Sequence, residues 1–162
     1  MSRSSNEVMG LAAKAARGAG APPAQAAQFG AAAAAHLGAR REIDVLVAAL
    51  SVLPDGPIMT LPLDIARIAE TAQDGLATGV VAADDVPLVA SYVAALPYLA
   101  WLGQRGTLAL DLTKPAKRGT VQRIDLPDAI YREWCGLAAR LLVPESDASR
   151  LSGAGAGLSD ND

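Results

Sequence analysis

Near the start of the chain, Val8, Leu11, Ala12 and Ala15 recur at the spacing of one helix face. Glu7, Gly10, Lys14 and Arg17 line a second, more polar face. Ser4-Ser5-Asn6-Glu7 has the form of a capping box, and Gly18 and Gly20 supply a stop, so the pattern predicts a first helix between them. Pro22-Pro23 opens a second helix that runs to about Leu37, with Phe29, Ala33 and Leu37 as its apolar edge and Gly38 after it. A third is predicted from about Arg41 to Leu53, with the stripe Ile43, Leu46, Val47 and Leu50. The turn Pro54-Asp55-Gly56-Pro57 follows. Thr60 is then expected to cap a fourth helix near Pro62, with Ile65, Ile68, Ala69 and Ala72 facing inward and Gly75 at its end. Short connections predict antiparallel packing of neighbours.

Beyond residue 75 the pattern changes. TGVVA, Thr78 to Ala82, reads as a weak strand, and Pro87 to Leu96 as a fifth helix. TLALDL, Thr107 to Leu112, alternates, and GTVQRIDL, Gly119 to Leu126, is its expected hairpin partner. Residues 113–118, with Pro115 and two lysines, form the expected exposed loop. Pro127 opens a last helix, capped by Asp125 or Asp128, with Ile130, Trp134, Leu137 and Leu141 as its stripe. Helices first and strands later predict one α+β domain, predominantly helical, with a small antiparallel sheet or hairpin.

Composition sharpens this picture. The 162 residues are 51% hydrophobic but only 4% aromatic, and alanine is abundant, so close helix contacts are expected to build the core. Lys and Arg total 14, Asp and Glu 17, for a net charge of −3, with no basic stripe of the kind nucleic acid requires. Val86 to Gly103 carries no charge and reaches the length of a membrane span, but Pro97 interrupts it and its alanines dilute it. A buried segment bent at Pro97 is the expectation, with no membrane association. The lone Cys135 excludes an internal disulfide and fits a reducing, cytoplasmic setting, and the polar opening MSRSSNEVMG does not read as a signal peptide.

One histidine and one cysteine rule out Cys/His zinc patterns, and no metal or cofactor is expected, although Asp160 and Asp162 leave a carboxylate site open. His36 is the one obvious general base; next to Phe29 and Ala33 on a helix edge, without a nucleophile at a telling spacing, it reads as a packing or surface residue dispensable for function. Cys135 reads as a small buried hydrophobe. Two glycine-rich segments, Ala15 to Gly20 (AARGAG) and Ser149 to Leu158 (SRLSGAGAGL), match neither a Walker A loop nor a dinucleotide fingerprint. Their physical content is close backbone approach and amides that can turn toward an anion. A helix cap and a flexible terminus are the plain alternatives.

NEVMGLAAKAARGAG (Asn6 to Gly20), GAAAAAHLGAR (Gly30 to Arg40) and VPESDASRLSGAGAGLSDND (Val143 to Asp162) resemble the two ends of a bacterial family of unknown function. Its members open with an Asn-Glu helix running into Ala-Arg-Gly-Ala-Gly and close with Ser-Arg, a glycine-alanine segment and Asp-Asn-Asp. The middle of the chain is only loosely similar. The resemblance implies no activity and transfers no catalytic residue. Two functions therefore stand side by side. One is binding of a small anionic metabolite by Arg17, Gly18, Gly20, Arg150, Gly153, Gly155 and Asp160, the tail packing on the AARGAG corner. The other is an accessory subunit that packs on a protein partner or a second copy. A pocket lined by Arg17 and Arg150 would favour the first, an exposed apolar patch the second.

Overall fold

The computed structural model describes residues 2–82, 85–117 and 123–141. Its architecture is α+β and mostly helical. Strand β1 (Ser2–Arg3) leads into helices α1 (Ser5–Gly18), α2 (Pro23–Gly38), α3 (Asp44–Ser51) and α4 (Pro57–Glu70). Then follow β2 (Leu76–Val80), α5 (Val86–Ala95), β3 (Tyr98–Leu102), β4 (Thr107–Pro115), β5 (Ile124–Asp125) and α6 (Asp128–Ala139).

The capping box forms as the sequence predicts. The Ser4 hydroxyl oxygen accepts from the Glu7 amide at 3.2 Å, and Glu7 Oε2 accepts from the Ser4 amide at 2.7 Å. The face that α1 buries is Val8, Ala12, Ala15 and Ala16. Against it lies α2, and the two approach so closely that a Cβ on Gly30 would sit 2.5 Å from the Met9 carbonyl oxygen and 2.9 Å from Ala13 Cβ. Only a residue without a side chain fits there. On the other side of α1, a Cβ on Gly18 would lie 2.6 Å from the Leu137 carbonyl carbon of α6. Phe29 on α2 and Trp134 on α6 are fully buried and fill the space that the alanines leave.

The main sheet is antiparallel with the order β2-β4-β3. Ala77, Leu108 and Leu110 point into the core, and Gly79 lets the Ile68 side chain of α4 close onto the sheet. On the opposite face, Leu76 (58% exposed), Val80 (67%) and Trp101 (53%) share one side with Thr78 and Ala109. A second ribbon pairs β1 with β5, and Arg123 ties it by donating from Nε to Ser2 Oγ (2.9 Å) and from Nη2 to the Ser2 carbonyl (3.0 Å).

Several expectations are corrected. The segment before α6 is not the hairpin partner of β4: its Ile124–Asp125 pairs with Ser2–Arg3, and β4 pairs with β2 and β3 instead. Alternation marks a strand but does not name its partner; burial of Ile124 and Leu126 beneath the helices takes that segment elsewhere. Helix α4 begins at Pro57 after Gly56, not at Thr60, and Pro62 lies inside it. Pro57 needs no amide partner in the first turn. The cap of α6 is Pro127 itself, with Asp128 opening the first turn. The uncharged stretch bends at Pro97, from α5 into β3, and among the described residues no helix is long and apolar enough to cross a membrane.

Two glycine substitutions test the packing. Gly18→Ala drives a methyl group into the α6 backbone and is expected to cost about 1–3 kcal/mol. Gly136→Ala on α6 meets nothing within 4 Å and is expected to add about 0.5–1 kcal/mol through helix propensity. Urea denaturation of both variants should show opposite shifts.

Candidate functional site

The corner expected to bind an anion is the C-terminus of α1. Its amides are occupied: Ala19 donates to the Ala15 carbonyl (2.9 Å), Gly20 to Arg17 (3.0 Å) and Ala21 to Ala16 (2.9 Å). Gly20 has φ +111°, the left-handed turn that ends the helix, and Gly18 is the contact with α6. A helix C-terminus carries partial negative charge, which favours the exposed Arg17 but not an anion. Arg150, Gly153, Gly155 and Asp160, with the tail that was expected to pack here, lie outside the described residues.

His36 is not at a helix edge. It is fully buried, because α2 is covered by α1 on one side and α5 on the other. Both ring nitrogens have partners. Nε2 lies 2.8 Å from the Glu42 carbonyl oxygen and Nδ1 2.8 Å from Ser91 Oγ, itself fully buried on α5. A carbonyl only accepts, so Nε2 carries the proton and donates to Glu42. In the neutral ring Nδ1 is an acceptor, so the single Ser91 hydroxyl proton is shared between Nδ1 and the Pro87 carbonyl, to which Ser91 Oγ donates at 2.7 Å. Arg41 Nη1 donates to the same Ser91 oxygen at 2.9 Å. Burial is the main influence holding the His36 pKa below its ordinary value, and the nearby Arg41 charge works in the same direction. The Glu42 carbonyl and Asp85 oppose the shift.

A serine hydroxyl against a histidine nitrogen has the local geometry of a nucleophile and its base. Here both are sealed from solvent, so what the pair does is hold Arg41. That guanidinium has five N–H donors, and Ser91 takes one. Arg41 lines a cleft of about 410 Å³ with Arg40, Arg123, Glu42 and Asp125, so three arginines and two acidic residues are among the residues around it. Arg40 has φ +56°, a left-handed conformation just past the end of α2. An L side chain there costs about 1–2 kcal/mol relative to the right-handed region, and glycine is the usual occupant.

Sequence reasoning missed Arg41 and Ser91, which lie far apart along the chain. The available signal was Arg40-Arg41 just past the Gly38-Ala39 stop, two cations where a helix end turns its carbonyls outward. Cys135 is half-buried on α6. Among the described residues, no group of three or more His, Cys, Asp or Glu side chains is placed to hold a metal ion. Comparison of the chain with family models, curated proteins and solved structures gives no match.

The buried imidazole has a pH consequence. The unfolded chain takes up a proton near pH 6.5, the folded one only at lower pH, so stability rises with pH through the interval just below 6.5. Folded stability measured at pH 5 and pH 7.5 should therefore differ more in the wild type than in His36→Gln, in which this proton uptake is gone. Equal differences in the two proteins would show that His36 is not held neutral.

Proposed function

We propose that this chain binds a small anion, a phosphate or carboxylate group, in the cleft formed by Arg40, Arg41 and Arg123. The supporting observation is the fixing of Arg41 at the cleft wall by the buried Ser91–His36 pair. A guanidinium already ordered loses less freedom on binding, and its planar fork matches an oxyanion. The strained Arg40 supports the same reading, since unfavourable backbone conformations cluster at functional sites. Glu42 and Asp125 would favour ligands that also carry a hydroxyl or amino donor. The ligand class is the one the sequence suggests, at a different place from the AARGAG corner.

A second reading, an accessory subunit that packs on a protein partner, draws support from the uncovered sheet face with Leu76, Val80 and Trp101. The first reading has the more specific geometry.

Inorganic phosphate, titrated at constant ionic strength, should raise the melting temperature; at ten times the dissociation constant the gain is about 1.4 kcal/mol. Arg41→Met should remove most of that response. Arg40→Gly is expected to stabilise the phosphate-free protein by about 1 kcal/mol while weakening the response, because it relieves the left-handed strain and deletes a cation. A phosphate response that is absent, or unchanged in both variants, would overturn the assignment.

A further inference from the structure

Four hydrogen-bonded atom pairs join His36, Ser91 and Arg41 to one another and to two carbonyls. Nε2 meets the Glu42 carbonyl, Nδ1 meets Ser91 Oγ, Ser91 Oγ meets the Pro87 carbonyl, and Arg41 Nη1 meets Ser91 Oγ. Each pair needs a proton between its two atoms. A neutral imidazole brings one, the serine hydroxyl one and the guanidinium one, so one pair is left with two acceptor atoms facing each other. His36 and Ser91 are fully buried, where an acceptor without a donor is costly. Moving the ring proton from Nε2 to Nδ1 only shifts the deficit to the Glu42 carbonyl. A second ring proton removes it. Nδ1 then donates to Ser91 Oγ, the serine gives its own proton wholly to Pro87, and its two lone pairs receive Nδ1 and Arg41.

That second proton is opposed by burial above all, and by the Arg41 charge in the same direction. Among the described residues, Asp85, the N-cap of α5, is the other charged side chain that acts on the ring, and it favours the proton. Elements α1, α4 and β5 also touch α2 but add no charge that acts on His36. An anion paired with Arg41 cancels the like-charge part of the opposition and leaves the hydrogen-bonding advantage in place. We propose that the arginine cleft takes up its anion together with a proton on His36, and therefore holds anions more tightly in mildly acidic solution. Resting on the anion reading above, this coupling adds its regulation: a side chain with no exposed surface sets the pH range in which the site fills. The sign follows from linkage. An anion beside Arg41 favours the imidazolium, so the imidazolium favours the anion by the same factor. The proton comes from solvent, and the bond that forms is Nδ1–H.

Sulfate is the probe, because its charge is constant between pH 5.5 and pH 7.5, whereas phosphate itself titrates there. His36 is the only histidine of the chain, so its ring signals in an NMR titration are unambiguous. At constant ionic strength, saturating sulfate should move the His36 titration of the wild-type chain to higher pH. The sulfate affinity, read from the amides of Arg40, Arg41 and Glu42, should be about fivefold or more tighter at pH 5.5 than at pH 7.5. In His36→Gln the affinity should change less between the two pH values, and the slope that remains belongs to Glu42 and Asp125. In Arg41→Met, sulfate should no longer move the His36 titration. An unmoved His36 titration under saturating sulfate in the wild-type chain, or the same pH slope in His36→Gln, would overturn the coupling and leave the anion reading standing. Absence of sulfate binding at both pH values would overturn the two together.

Discussion

The contact on which the rest of the structure depends is the near-touching of the α1 and α2 backbones at Gly30. With the Met9 carbonyl where a side chain would have to be, the helices can approach only because α2 presents glycine and alanine there. Small residues contribute little apolar area each, so such a helix gains stability by being covered on several sides. That is what α2 achieves: α1 lies on one flank, α5 on another, and α4 and β5 also touch it. A helix enclosed in this way takes its polar side chains into the interior with it. His36 is therefore buried as a consequence of the alanine packing, and it is retained without an unpaired nitrogen because Glu42 and Ser91 are there to meet it.

How much of this was legible in the sequence follows from which interactions are local. The capping box at Ser4 and Glu7, the proline starts of α2 and the break at Pro97 depend on neighbours a few residues away, and each is where the pattern places it. The stripe on α6 correctly singles out Trp134 as a core residue. The partners of β4 depend on tertiary burial, and nothing in TLALDL distinguishes GTVQRIDL from LATGV as the strand beside it. The candidate site was least legible. Glycines attract attention as anion cradles, yet Gly18 serves helix approach and Gly20 ends a helix. Arg41 acquires its role through Ser91, a residue fifty positions away on another helix.

Helix α5 lies between two chemically different parts of the molecule. Its Ser91 faces His36 and Arg41, on the charged side; its Tyr92, one residue on, lines an uncharged cavity of about 240 Å³ with Ile65, Leu96 and Tyr98. Successive helical residues point about a quarter-turn or more apart, so a single short helix forms part of the support for both. Arg40 accepts left-handed backbone strain and Tyr92 an unmade hydrogen bond, and each costs the fold stability. Local departures of that kind concentrate where proteins make contact with other molecules.

The ribbon between Ser2–Arg3 and Ile124–Asp125 joins the start of the chain to a segment just before its last described helix. The α1–α2 hairpin brings together neighbours in sequence, but this ribbon must close a loop spanning most of the described chain. Loop-closure entropy places such a contact late on the route to the native state. The helical hairpin can assemble first and offer Gly18 as a seat for α6; the two-residue strands then act as a latch that records the arrival of the distant half. Its two residue pairs are reinforced by the Arg123 bonds to Ser2 and by the Arg3 guanidinium 3.5 Å from the centre of the Tyr131 ring of α6, so the latch closes on the last helix as well as on the strand.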